Sequence, residues 1–321
     1  MNGWKHKNEC TANHVGSAGK MEVDATKEMF MRSEKLHGVK YTSYVGDGDC
    51  KTFKRITECN SYGENCIVEK KECVGHVQKR MGAQLRKLKK DTKGLGGKGK
   101  LTAKLIDELS VYYGLAIQRN KDSMPDMKKA IWATLKHKAS TNEKPQHEDC
   151  PQGEDSWCTW QQAKAQGNLS DYEHKPALSS DVLKAITPIY KELSNENLLT
   201  RCVGGYTQNS NESLNAMIWS LAPKQTFSGA KTVDIASYCA ASIFNESYSS
   251  ILKMMDVMNI KIGPNAFNLC NTVDERRISQ ANERSFDASK EGRIERRTAR
   301  SALEENFLEE EDVLYEAGMS D

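Results

Sequence analysis

The sequence predicts an α/β or α+β fold that carries a long helical insertion. Two short runs of strand-forming residues lie among helical segments in the N-terminal part. Helical spacing then dominates from Leu101 onward, and no internal repeat is present. The 321 residues suffice for one large domain or two of roughly 100–200 residues, with enough chain to bury a real core.

The elements follow in order. Met21 to His37 has Met21, Ala25, Met29 and Leu36 on one face, and Gly38 supplies a stop. Val39 to Val45 is rich in β-branched and aromatic residues and reads as a strand ending at Gly46-Asp47-Gly48-Asp49. Cys50 to Cys59 reads as a short helix and Cys66 to Glu69 as a second strand. Glu72 to Lys90 has helical spacing at Val77, Met81, Leu85 and Leu88. Leu95 to Gly99 must be a loop, and Leu101 to Leu135 is helical again. Residues 140–180 hold three of the seven prolines and look irregular. Asp181 to Leu199, Asn209 to Trp219 and Val233 to Met258 read as helices. Beyond Thr272 few large apolar residues remain, so a frayed or partly disordered helical tail is expected.

Composition excludes several classes. The mean hydropathy is −0.69, and no stretch approaches the roughly 20 consecutive apolar residues of a membrane span. Met1 to His6 has no apolar run behind a basic patch, which predicts no secretory signal. The 10 cysteines are then expected to stay reduced, as core thiols or metal ligands in cytosol or nucleus. A near-neutral net charge of +2 conceals segregation: Glu69 to Lys104 carries 12 Lys/Arg against 3 acids, whereas Leu303 to Glu316 carries 7 acids and no base. A basic run is the usual footprint of a nucleic-acid binder, although a solvated helix face has the same composition. The acidic run could equally serve an interaction protein acting through residues 275–321.

Several constellations could carry chemistry. Asp47 and Asp49 flank a glycine at a strand end, where oxygen ligands suit hard cations such as Mg²⁺; a polar turn would use the same tripeptide. Cys73-x-x-His76 sets a thiol and an imidazole three residues apart on a helix, two ligands short of a zinc site. His147-x-x-Cys150, with Cys158 and His137, supplies four nitrogen and sulfur ligands in a polar stretch. Zinc there would explain how a segment with few aliphatic residues stays folded. His6-x3-Cys10-x3-His14 is a weaker pattern of the same kind. Gly94-x4-Gly99-Lys100 imitates a phosphate-binding loop, but Leu101 stands where Ser or Thr is required and a lysine-rich helix precedes it. A basic loop that touches a phosphate backbone suits those residues better. Glu212 lies in the first turn of its helix, where an acid also simply suits the helix dipole.

These stretches together resemble one family, the Mutator-like transposase domain, a branch of the DDE transposases with a ribonuclease-H-like core. The resemblance rests on His6-x3-Cys10-x2-Asn13-His14 through Glu22, Tyr44-Val45-Gly46-Asp47-Gly48-Asp49, and Glu72-Cys73-Val74-Gly75-His76 through Gly82. It continues with Leu95 through Thr102, Cys150-Pro151-x-Gly153-x2-Ser156-Trp157-Cys158, and Thr207-Gln208-Asn209-x-Asn211-Glu212-Ser213-x-Asn215. The motifs run in order from residue 1 to about 265.

The resemblance implies metal-dependent DNA strand cleavage and transfer, with carboxylates holding Mg²⁺ or Mn²⁺. It puts the second carboxylate on Asp47 or Asp49 and the third on Glu212, and it matches Cys73 and His76 to a Cys-x-x-His signature. It implies a partial ribonuclease-H-like core in residues 1–92 and a mainly helical insertion in 93–203. The closing helices of the core would fall in 204–270 and a charged tail in 271–321. DNA contact is expected from Lys79, Arg80, Arg86, Lys87, Lys89, Lys90, Lys98 and Lys100, with transposon ends as partner, a homo-oligomer as a further option, and a nuclear location. Zn²⁺ is an additional candidate cofactor. The family's first carboxylate belongs upstream of the stretch matching His6, so the chain is expected to be a truncated, catalytically defective fragment. A DNA-binding or zinc-binding protein without catalysis is the alternative.

Overall fold

A computed structural model describes residues 14–46, 50–97, 99–289, 291, 292 and 295. Asp47, Asp49, Lys98, His6, Cys10 and the acidic run 303–316 lie outside the described residues. The chain divides into two compact units, Met1–Asn211 and Glu212–Asp321.

The first unit begins with α1 (Ala18–His37), whose N-cap Ser17 accepts from Lys20 N–H. It stops where Gly38 takes a left-handed conformation, φ 63°, at almost no steric cost. β1 follows (Ser43–Gly46), then α2 (Cys50–Cys59), β2 (Glu69–Glu72) and α3 (Val74–Asp91). β1 and β2 pair in parallel, Ser43 opposite Glu69 and Gly46 opposite Glu72. Both strands therefore end at the same edge. Around them Phe30, Ile56 and Tyr62 form a small apolar cluster. The Tyr62 hydroxyl lies 2.6 Å from Ser33 Oγ and accepts from the Tyr41 amide.

The second strand departs from the sequence reading. Cys66-Ile67-Val68 has the β-branched content, yet Ile67 is exposed and the strand is the charged run Glu69-Lys70-Lys71-Glu72. Pairing with β1 selects it, and Glu72 closes it with long-range ion pairs. The first strand is also shorter than expected, because the Tyr41 amide is spent on the Tyr62 hydroxyl before the ladder begins.

Behind the strands lies the main core. α3 buries Val74, Val77, Met81 and Leu85 against α4 (Ala103–Arg119) and α7 (Ser180–Leu193), and α5 (Met124–Ala139) and α8 (Glu196–Cys202) complete the same apolar cluster. The predicted single helix over Leu101–Leu135 is two helices. Asn120 ends α4, and Ser123 caps α5 with Pro125 in its first turn. Between α5 and α7 the chain is mostly irregular, holding α6 (Thr159–Ala165) and a 3₁₀ turn (Leu169–Asp171). Leu101 is fully buried and Lys100 Nζ donates to the Gly94 carbonyl at 2.6 Å. The loop that imitates a phosphate-binding motif is a structural connection.

The second unit holds most of α9 (Asn209–Leu221), then α10 (Ala230–Glu246), α11 (Ser249–Val257) and α12 (Pro264–Ala288). The predicted helix over Val233–Met258 breaks at Ser247, φ 75°. The expected frayed tail is helical to Ala288. This unit buries Ala236, Ala240 and Ile243, whereas Phe227, Tyr238, Val257 and Leu269 are exposed. Among the described residues no helix is long and apolar enough to cross a membrane. The described residues are mainly helical and contain one two-stranded parallel sheet.

Candidate metal centre and strand-edge site

Two places collect the residues with chemical potential. The first is a group of four side chains, His137, His147, Cys150 and Cys158, whose ligand atoms all lie within 4.8 Å of one another. Local structure explains each position. His137 sits in the last turn of α5, among the cations Lys136 and Lys138 that suit a helix C-terminus. The Cys150 amide donates to the His147 carbonyl at 3.1 Å, a turn that brings both side chains to one side. Gly153 adopts φ 97°, which glycine tolerates best. Ser156 Oγ donates to the Pro151 carbonyl at 2.5 Å and accepts from the Cys158 amide at 3.0 Å. Cys158 occupies the N-cap of α6, and its sulfur makes no capping bond.

The separations decide whether these atoms fit one ion. His147 Nδ1 lies 3.2 Å from His137 Nδ1, 3.8 Å from Cys150 Sγ and 3.4 Å from Cys158 Sγ; His137 Nδ1 is 3.5 Å from Cys158 Sγ. A tetrahedral ion with metal–nitrogen bonds of about 2.0–2.1 Å and metal–sulfur bonds of about 2.3 Å needs edges of about 3.3 Å (N–N) and 3.6 Å (N–S). All four separations lie close to those edges. A set of two imidazoles and two sulfurs suits a borderline-soft ion and not the oxygen-seeking Mg²⁺.

The surroundings are enclosed. His147, Cys150 and Cys158 are 2%, 3% and 0% exposed. Trp160 stacks on His147 with centroids 4.9 Å apart, and Trp157 meets His137 edge-on at 5.0 Å. The Cys150 thiol hydrogen-bonds the Cys158 sulfur, which holds Cys158 below the usual thiol range and pushes Cys150 above it. Burial lowers His147 and His174, so both rings favour the neutral form that a metal ligand requires.

The second place is the edge where β1 and β2 end. Glu72, the last residue of β2, is buried. Its carboxylate accepts from Arg80 Nη2 of α3 at 2.5 Å and from Arg201 Nε of α8 at 3.2 Å. The Val74 amide donates to the Tyr206 carbonyl at 3.0 Å, and Gln208 Nε2 donates to the Val45 carbonyl at 3.0 Å. Three sequence motifs thus meet at one edge of the first unit: Tyr44–Gly46, Glu72–Val74 and the stretch opening at Thr207-Gln208. Glu212 is exposed in the first turn of α9, at the start of the second unit.

The remaining predicted site residues are spread differently. Cys73 is buried at the N-cap of α3, with His76 one turn into that helix. Among the described residues this pair joins no group of three or more candidate ligands. Lys79, Lys87, Lys90 and Lys100 are exposed and Lys89 is half-buried. Arg80 is engaged by Glu72, and Arg86 forms an exposed ion pair with Asp107 at 2.9 Å. Sequence reasoning missed His174 and Gln208 as individual contributors. Gln208 was visible only as part of its motif, and His174 belongs to no spacing pattern.

Residues 2–158 match the family model for Mutator-like transposase. The match takes in both strands, α1 to α5 and all four members of the His/Cys group. No curated protein and no solved structure matches the chain.

Proposed function

We propose, from the Mutator-like transposase match over residues 2–158, that the chain carries transposase chemistry: Mg²⁺- or Mn²⁺-dependent cleavage and joining of DNA phosphodiesters on a partial ribonuclease-H-like core. The observation that carries this reading is the convergence of three motif stretches at the shared end of β1 and β2. The C-terminal edge of parallel strands is where open α/β sheets place their functional loops.

In this reading Asp47, with Asp49 as its alternate, and Glu212 are the metal-holding carboxylates. Their oxygen donors suit a hard cation. Glu72 is unsuited to that role, because its two oxygens already accept from Arg80 and Arg201. Bound divalent ions would polarise the phosphodiester and activate a water or a DNA 3′-hydroxyl. Gln208 steadies the end of β1 through the Val45 carbonyl. The exposed lysines of α3, with Lys98 and Lys100, supply positive charge to the DNA backbone, and this partner places the protein in the nucleus. The His/Cys group takes Zn²⁺.

The test is strand cleavage on transposon-end DNA with Mg²⁺ or Mn²⁺, using this chain and an upstream-extended form, each with and without Glu212→Gln. Cleavage by the extended form that falls at least about 100-fold with Glu212→Gln supports the reading. Indifference to Glu212→Gln rejects it. Binding by both forms without cleavage by either would favour a DNA-binding protein that uses the basic face of α3 and no chemistry.

A further inference from the structure

Resting on the Zn²⁺ reading of the His/Cys group, we propose that this is a closed structural site in which both histidines ligate through Nδ1, and that His174, held by Asn142, is the positioning residue that fixes His147 in that orientation.

The ligand atoms follow from geometry. The Nδ1 atoms of His137 and His147 are the ring nitrogens that face each other and Cys158 Sγ. That leaves Nε2 of His147 turned outward, where it lies 3.0 Å from Nε2 of His174. The ring centroids are 5.2 Å apart, nearly the full separation that a 3.0 Å contact between the two Nε2 atoms allows, so the rings meet end to end and the bond runs near both ring planes, the direction in which a nitrogen lone pair points.

The far side of His174 fixes which way the proton runs. His174 Nδ1 is 2.7 Å from Asn142 Oδ1, and the His174 backbone N–H donates to the same oxygen at 3.0 Å. A carboxamide oxygen only accepts, so Nδ1 of His174 carries the proton and its Nε2 offers a lone pair. His147 Nε2–H must then be the donor, which leaves the lone pair of His147 Nδ1 directed at the ligand cluster. Asn142, His174 and His147 form one chain of two hydrogen bonds with a single consistent protonation pattern. A metal-ligating histidine usually gives its other ring N–H to such a partner, which orients the ring and raises its basicity. The Gln161 side-chain amide also holds the His147 backbone carbonyl at 2.8 Å.

Closure follows from the ligand count and the walls. Four protein donors fill a tetrahedral ion, and Trp157 and Trp160 cover the histidines. A catalytic zinc keeps one position for water or substrate, and this arrangement reserves none. The role is to fasten chain. One ligand comes from α5, two from the 147–150 turn and one from the start of α6, while no residue from 140 to 177 is a buried member of the main apolar core.

The experiment uses the full chain. Zinc content is measured by elemental analysis, affinity by competition with a chromogenic chelator, and geometry by the d–d spectrum after Co²⁺ exchange. The expected results are one zinc per chain, an intense tetrahedral Co²⁺ spectrum, and about 10–100-fold weaker zinc binding in His174→Ala. His174→Gln should recover much of the loss, because its amide oxygen can accept from His147 Nε2–H. Asn142→Ala, an exposed position, should show a smaller loss in the same direction, and it keeps the test decisive if His174→Ala fails to fold. Absence of zinc from the unaltered chain would overturn the Zn²⁺ reading itself. Zinc at full affinity in both His174→Ala and Asn142→Ala would overturn the positioning role alone. A weak five- or six-coordinate Co²⁺ spectrum would overturn the closed site.

Discussion

Two parts of the first unit are held together by different physics. The helices α3, α4, α5, α7 and α8 share a continuous apolar interior that includes Val77, Met81, Leu85, Leu109, Ile131 and Ile186. The segment between α5 and α7 adds no buried aliphatic side chain to that interior. It is organised by the His/Cys group, by Trp157, Trp160 and Tyr172, and by polar ties such as Lys136 to Asp149 at 2.5 Å and the Leu178 amide to the Lys138 carbonyl. The contrast shows how an irregular stretch can be fixed on a helical body without enlarging the core: directional side-chain ties at a few points, which the proposed Zn²⁺ would draw together, replace buried area.

The largest effect should come from removing the Zn²⁺ proposed for the His/Cys group. Chelation is expected to cost the 140–177 segment several kcal/mol of local stability, read as lost hydrogen-exchange protection and new protease cleavage there. α3, α4 and α5 up to His137 should stay protected. Equal protection with and without chelator would erase the contrast between the two regions. The converse experiment cuts into the core. Leu85→Ala removes a fully buried side chain and should lower global stability by about 2–5 kcal/mol in urea unfolding, while zinc content stays unchanged. Loss of zinc in that variant would mean that the two regions fold as one cooperative body.

A smaller effect concerns the strand edge. Glu72→Gln keeps the shape but takes the charge from between Arg80 and Arg201. Both arginines are partly exposed, so the expected cost is about 1–3 kcal/mol. Residual DNA binding per folded molecule should not change. If stability holds but metal-dependent cleavage by the upstream-extended form disappears, Glu72 belongs to the chemistry and its assignment as an anchor is wrong.

Legibility in the sequence followed the same division. The stripe Val77, Met81 and Leu85 on α3 and the stop at Gly38 are local patterns, and both could be read directly. So could the grouping of His137, His147, Cys150 and Cys158, because chemically distinctive residues cluster within a short polar stretch. β2 was misplaced by three residues. Glu69-Lys70-Lys71-Glu72 has no apolar alternation, and its strand exists because β1 pairs with it and because arginines from α3 and α8 close on Glu72. His174 was missed for a similar reason: its meaning lies in two hydrogen bonds, one to Asn142 and one to His147, across stretches of chain with no spacing rule. Cys73 and His76, a ligand-like pair by spacing, stand at the buried start of α3 with no third ligand among the described residues.

The smallest predicted effect sharpens the comparison from inside the core. Tyr113 is fully buried on α4, and its hydroxyl donates to the Leu193 carbonyl at 2.8 Å. Leu193 ends α7, and the last carbonyls of a helix have no partner within the helix. Burial pushes the Tyr113 hydroxyl well above its ordinary range, so it stays a neutral donor at any working pH. Tyr113→Phe keeps the ring and its packing and strands one carbonyl. The expected loss is about 1 kcal/mol in urea unfolding, with an unchanged denaturant slope and unchanged zinc affinity. A polar bond inside the apolar region should therefore matter far less than the ligands do in the neighbouring segment. A loss several times larger would show that this helix end, and not the apolar interior alone, holds α7 against α4.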